Sequence, residues 1–134
     1  MPPIFVGDLL KEPSAARAKL KAVGTRQQFE KHSVLFKKGP IGVVIVHSGT
    51  IRLSCNASPM RFVCVGEILC LTEALAEIGG QSTFEPASDC SCRIICVEDF
   101  LDLLDTDCDL RNGLLGALAR SYLRAYRTMS EYPL

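Results

Sequence analysis

The sequence predicts a mainly β domain with flanking helices (α+β): an antiparallel roll, a short helix before it and a long amphipathic helix after it. Three observations lead there. Short apolar, β-branched runs follow one another between Thr25 and Val97, divided by Gly, Pro and Asn clusters. The segments between them are too short for the crossover helices that a parallel sheet needs, so neighbouring strands run antiparallel. Beyond Val97 the apolar spacing changes from two to three and four residues and keeps that period to Tyr126.

Taken in order, residues 1–13 form a lead-in with Pro2, Pro3 and Pro13, expected to be loosely held. The domain proper is expected over 14–134, with the roll over about 25–97 and helices over about 98–131. Ser14 stands where a helix cap would, and Gly24 where that helix would end. Ala16, Leu20 and Val23 give it an apolar face. Gln27–Glu30 and Ser33–Phe36 read as strands, with a turn at Lys37–Pro40. Ile41–Val46 is mostly apolar and β-branched, which predicts a strand buried on both faces. After the break at Ser48-Gly49, Thr50–Cys55 alternates with Ile51, Leu53 and Cys55 on one face. Asn56–Pro59 is a hairpin turn, and Met60–Val65 returns to Gly66. Leu71–Ile78 reads as a short helix stopped by Gly79-Gly80, and Ser82–Ala87 and Ser91–Val97 complete the sheet. Glu98-Asp99 and Asp107 or Asp109 are acidic helix starts. The last helix, with Leu110, Leu114, Leu115, Leu118, Tyr122 and Tyr126, makes a rod of about 30 Å.

Composition excludes several classes. The 134 residues suit one domain with one core. The 15 basic and 15 acidic residues leave no basic excess, which argues against direct nucleic-acid contact. The apolar run at Val43–Val46 is far shorter than the roughly 20 residues of a membrane span. Met1-Pro2-Pro3-Ile4 has no basic start or apolar core of a secretory signal, so a cytoplasmic, reducing compartment is expected. Seven cysteines, an odd number, are then expected to be free thiols.

Six short pieces in order resemble the sensor domain of the Crp/Fnr (catabolite-activator) family: Phe36-Lys37-Lys38-Gly39, Val46–Leu53, Gly66-Glu67-Ile68-Leu69, Asp89–Ile95, Glu98-Asp99-Phe100-Leu101 and Leu118–Tyr122. The likeness spans about residues 25–130 and is nearest to members with a Gly-Glu-Ile-Leu-Gly-Leu-Ser cassette. It implies a cyclic-nucleotide-binding jelly roll, a double-stranded β-helix, whose closing helix pairs with its twin in a parallel dimer. Leu114, Leu115, Leu118, Tyr122 and Ala125 are the expected seam. Three departures stand out. The chain ends at Leu134 without the family's helix-turn-helix, so it reads as a stand-alone sensor domain or a fragment. The hairpins at Gly39-Pro40 and Asn56–Pro59 are trimmed. The phosphate cassette lacks its arginine.

In such a cassette, backbone N–H groups at a helix start and an arginine hold the phosphate, and a glutamate takes the ribose hydroxyl. The resemblance maps the glutamate onto Glu67, beside Gly66, and the helix start onto Leu71 and Thr72. It maps the arginine and the next polar residue onto Gly80 and Gln81. No Lys or Arg stands between Glu67 and Arg93, whereas Glu73, Glu77, Glu85 and Asp89 do. The sign is wrong for a phosphate, so a cyclic nucleotide is disfavoured and no cofactor is expected. Glu67 then serves as a turn residue that bonds nearby backbone N–H groups.

Other constellations point elsewhere only weakly. Cys90, Cys92 and Cys96 lie on one strand, without paired metal spacing, and suit core packing. His32 and His47 are the only histidines, too few for a cupin metal box and no clear haem ligand. No nucleophile elbow, zincin helix or P-loop occurs, so no enzyme is expected. Arg111, Arg120, Arg124 and Arg127 read as a solvated helix face. The leading expectation is a non-enzymatic sensor domain with a degenerate cassette, open to a small-molecule effector and signalling through its last helix. The alternatives are a cyclic-nucleotide-binding transcription regulator whose DNA-binding half lies outside this chain, and a cysteine-based redox or metal sensor.

Overall fold

The structure, a computed structural model, describes residues 3–33, 42–55, 58–63, 65–71, 75 and 82–130. Seven strands are described: β1 (Thr25–Phe29), β2 (Gly42–Ser48), β3 (Ile51–Cys55), β4 (Ser58–Val63), β5 (Ile68–Leu69), β6 (Ser82–Pro86) and β7 (Cys90–Cys96). They form two antiparallel sheets, ordered β1-β7-β2-β5 and β4-β3-β6. The helices are α1 (Pro13–Lys21), α2 (Val97–Thr106) and α3 (Cys108–Ser130), preceded by one 3-10 turn at Val6–Asp8. This is the expected roll with its helices.

Two apolar clusters explain the layering. β2 lies between them, so its residues alternate between two dry sides rather than between core and water. Val44 and Val46 face the roll interior with Ile51, Val63, Leu69, Phe84, Cys90 and Cys92. Val43 and Ile45 face the helices with Ile95, Leu20, Phe100, Leu110 and Leu114. The expected double burial of this strand is therefore correct, over Gly42–Val46.

Helix ends follow local chemistry. α1 begins two residues earlier than the Ser14 cap predicts, with Glu12 in the cap position, because Pro13 suits the first helical position. Asp107 caps α3: its Oδ1 accepts the Leu110 N–H at 3.0 Å. Lys19 Nζ stands 2.7 Å from the same carboxylate, tying α1 to α3. Lys19 and that N–H hold the Asp107 carboxyl below its usual range.

The lead-in is not loose from residue 4 onward. Ile4, Val6 and Leu9 are buried, and the Val6 N–H donates to the Gly66 carbonyl while the Ile68 N–H donates to that of Ile4, both at 2.9 Å. Three apolar side chains at near-alternate positions give the segment a face to bury. The hairpin after β3 is also tighter than expected: Cys55 pairs with Ser58, so Pro59 lies inside edge strand β4 rather than in the turn. Ser33 is outside any strand, and the Val34–Phe36 part of the expected second strand, with the Lys37–Pro40 turn, lies outside the described residues.

Candidate functional site

The turn that carries Gly66 and Glu67 is fixed from two sides. The Gly66 N–H donates to the Val46 carbonyl at 2.8 Å, and the Val46 N–H donates to the Glu67 carbonyl at 3.3 Å. From the other side Phe5 bridges Glu67 as an added antiparallel residue. Gly66 has φ +87°, a left-handed conformation natural to glycine. Cys70 shares that region at φ 65°. It stands at the second glycine of the Gly-Glu-Ile-Leu-Gly-Leu-Ser pattern, so the strain there, about 1–2 kcal/mol for an L-residue, falls on a side chain packed in the roll.

Glu67 is 1% exposed. Its carboxylate receives a two-pronged bond from Arg61 on β4: Nη1 donates to Oε1 and Nη2 to Oε2, each at 3.0 Å. This corrects the expectation that Glu67 bonds backbone N–H groups. It also changes the charge balance, because the acid of the cassette is matched by a cation. Sequence reasoning missed Arg61 by scanning only forward from Glu67. The signal was available: a return strand ending at Val63 brings Arg61, six residues back, beside the turn.

The other expected cassette residues divide. Leu71 is buried in the helix-side cluster, and both Leu71 and Leu75 are helical. Thr72, Gly80 and Gln81 lie outside the described residues. Of the expected seam on α3, Leu114 is buried and Leu118 is partly buried against the body, Ala125 is half-buried, and Leu115 and Tyr122 are exposed.

The thiols sort by depth. Cys90 and Cys92 are buried in the roll, Cys96 and Cys108 are exposed. Burial pushes the Cys90 thiol up and the Cys92 thiol up to about 12, which disfavours the thiolates that metal binding and redox exchange use. Among the described residues, no three His, Cys, Asp or Glu side chains are grouped to hold a metal ion. His32 bonds Glu85 through Nδ1 at 3.0 Å, and Arg52 Nη2 donates to the same carboxylate at 2.6 Å. His47 lies near the end of β2. Among the described residues, no helix is long and apolar enough to cross a membrane.

Comparison with solved structures gives a consistent set of folds. The catabolite activator protein of Thermus thermophilus superposes with a TM-score of 0.70 at 21% identity, over 89% of this chain and 59% of its own. The sensor domain of the transcriptional regulator DNR from Pseudomonas aeruginosa gives 0.66 at 13% identity, covering 82% of each chain. The c-di-GMP-responsive global regulator CLP of Xanthomonas campestris gives 0.64 at 17% identity, over 87% of this chain and 63% of its own. The chain thus spans about three fifths of two of these proteins and most of the third. No family model matches the sequence, and no curated protein matches it. With the paired sheets, the Gly66-Glu67 turn and the closing helices described above, the chain has the fold of the Crp/Fnr-type cyclic-nucleotide-binding domain.

Proposed function

We propose that this chain is a non-enzymatic sensor domain of Crp/Fnr type whose cassette is closed upon itself and which signals through α3. The Arg61–Glu67 pair carries the reading. A carboxylate that must take a ribose hydroxyl needs a reachable edge, and the Arg61 fork covers one edge of Glu67 while burial at 1% exposure closes its remaining lone pairs to solvent. Displacing that pair sets its charge-assisted bonds, about 1.5–3 kcal/mol each, against those a nucleotide offers. Isothermal titration with cyclic AMP and cyclic GMP is expected to give no binding below millimolar. Micromolar affinity would instead support the second reading, a cyclic-nucleotide-binding regulator in which Arg61 itself supplies the missing cation.

The output surface on this reading is the exposed stripe of α3 formed by Leu115, Ala119, Tyr122 and Tyr126. Its spacing of four, three and four residues places the stripe on one helix face. Tyr122 and Tyr126 stack with ring centroids 6.5 Å apart, giving a broad aromatic surface. A second copy of this chain is the proposed occupant, helix against helix. Sedimentation velocity at tens of micromolar is expected to detect a dimer. Leu115→Glu with Tyr122→Glu should return a monomer, with stability changed by about 0.5 kcal/mol or less because both side chains are exposed. A monomeric wild type would remove the dimer from the proposal.

A further inference from the structure

A cleft of about 470 Å³ lies outside the roll, between α1 and the outward face of the β1–β7–β2 sheet. Arg17 and Lys21 reach its wall from α1, Arg26 from β1 and Arg93 from β7. Among the described residues no carboxylate lines it, although the chain as a whole has as many acids as bases. Among the described residues none of these four cations is in a salt bridge. The remaining wall is apolar, chiefly Val6, Leu20, Ile45 and Val65.

Three details make this more than a basic surface. Arg26 and Arg93 are direct cross-strand partners, and like charges in that position repel. The Arg26 fork is aimed, because its Nε donates to the Oγ of Ser91 at 2.8 Å and Ser91 is 1% exposed. Among the described residues the Arg93 Nε is buried without a hydrogen-bond partner, and Nη1 makes a long bond of 3.4 Å to the Gly24 carbonyl. A buried donor left unpaired is costly, and an anion held between the two guanidinium groups would offset the repulsion of Arg26 and Arg93.

We infer that this cleft binds a small phosphorylated anion carrying two or more negative charges, its phosphate groups on Arg26 and Arg93 and its less polar body against Ile45 and Leu20. The class follows from the charge count. A single carboxylate would leave most of the four cations uncompensated, and planar guanidinium forks match phosphate oxygens in pairs. The volume falls within the usual range for small-molecule sites. The site is separate from the Arg61–Glu67 pair, but Val65 and Gly66 border it, so its occupant would touch the same turn.

His47, which also lines the cleft, is a built-in reporter. Burial and the charges of Arg26, Arg93 and Lys21 push its pKa below the usual imidazole value. An anion among those cations must move it back up. The test is a proton NMR titration of the His47 ring on the whole chain, with inorganic pyrophosphate as the probe and sodium chloride matched in ionic strength as the reference. The His47 pKa is expected to rise with pyrophosphate beyond its change in sodium chloride. Pyrophosphate should bind at least tenfold more weakly to Arg93→Gln, and to Arg26→Gln as an independent check. Arg93→Gln relieves the Arg26–Arg93 repulsion and should not melt lower than wild type in the absence of anion, whereas Arg26→Gln also gives up the bond to buried Ser91 and is read by its anion affinity once shown to be folded. Equal responses to pyrophosphate and sodium chloride, or unchanged pyrophosphate affinity in both folded variants, would overturn the proposal.

Discussion

Replacing Gly113 by alanine is expected to cost about 3 kcal/mol of unfolding free energy, at the upper end for overpacking. The same change at Gly116, less than one turn further along α3, should instead stabilise by about 0.5–1 kcal/mol, the helix-propensity gain of alanine over glycine. The two glycines differ in what a methyl group would meet. At Gly113 it would run into the carbonyl oxygen and carbon of Leu9, backbone atoms that cannot swing aside. At Gly116 it would come within 3.1 Å of the Arg120 Nη1, the far end of a flexible side chain. The contact at Gly113 matters beyond α3, since Leu9 belongs to the segment that also buries Ile4 and Val6 and bridges Glu67 through Phe5. Forcing α3 away therefore loosens the strut that holds the cassette turn. Urea unfolding of the two variants decides the matter. If Gly113→Ala is as stable as Gly116→Ala, the close approach of helix and lead-in is not a feature of the folded protein.

What could be read in the sequence depended on how far its physical causes reach. Strands such as β2 and the helices α2 and α3 were legible because their burial is periodic and local, and Asp107 announces its helix by side-chain chemistry. The lead-in was misjudged because its prolines suggest loose chain, whereas its order comes from Gly66 and Ile68, some sixty residues away. The cassette was legible as a turn but not as a charge distribution. Glu67 is local, yet its partner Arg61 arrives by way of a hairpin, and a scan along the chain gives no weight to a residue on the preceding strand. The cationic cleft was invisible for the same reason in stronger form. Arg17, Lys21, Arg26 and Arg93 meet only through strand pairing and the docking of α1, while net charge reads zero. The division of α3 into an inward row with Leu114 and an outward row with Leu115 needed the angle at which that helix lies on the body.

The Arg61–Glu67 pair makes the second large prediction, and its two halves should not cost the same. Arg61→Gln leaves an ionised carboxylate at 1% exposure with its fork removed, and about 3 kcal/mol of stability should go. That is the low end of the range for breaking a buried pair, because the Arg61 side chain is itself 41% exposed and its contribution is partly screened. Glu67→Gln leaves the opposite orphan, a guanidinium that water can still reach, so about 1–2 kcal/mol is expected. Replacing both, Arg61→Met with Glu67→Leu, should recover most of the loss, since well-packed apolar residues do as well as an ion pair once neither charge is left behind. Denaturant unfolding of the wild type, the singles and the double completes the cycle. If the two single losses are equal, or both fall below about 0.5 kcal/mol as at an exposed pair, the guanidinium is a surface group resting near the turn. In that case the cassette is not closed by its own arginine, and its lack of a free acid edge no longer explains indifference to cyclic nucleotides.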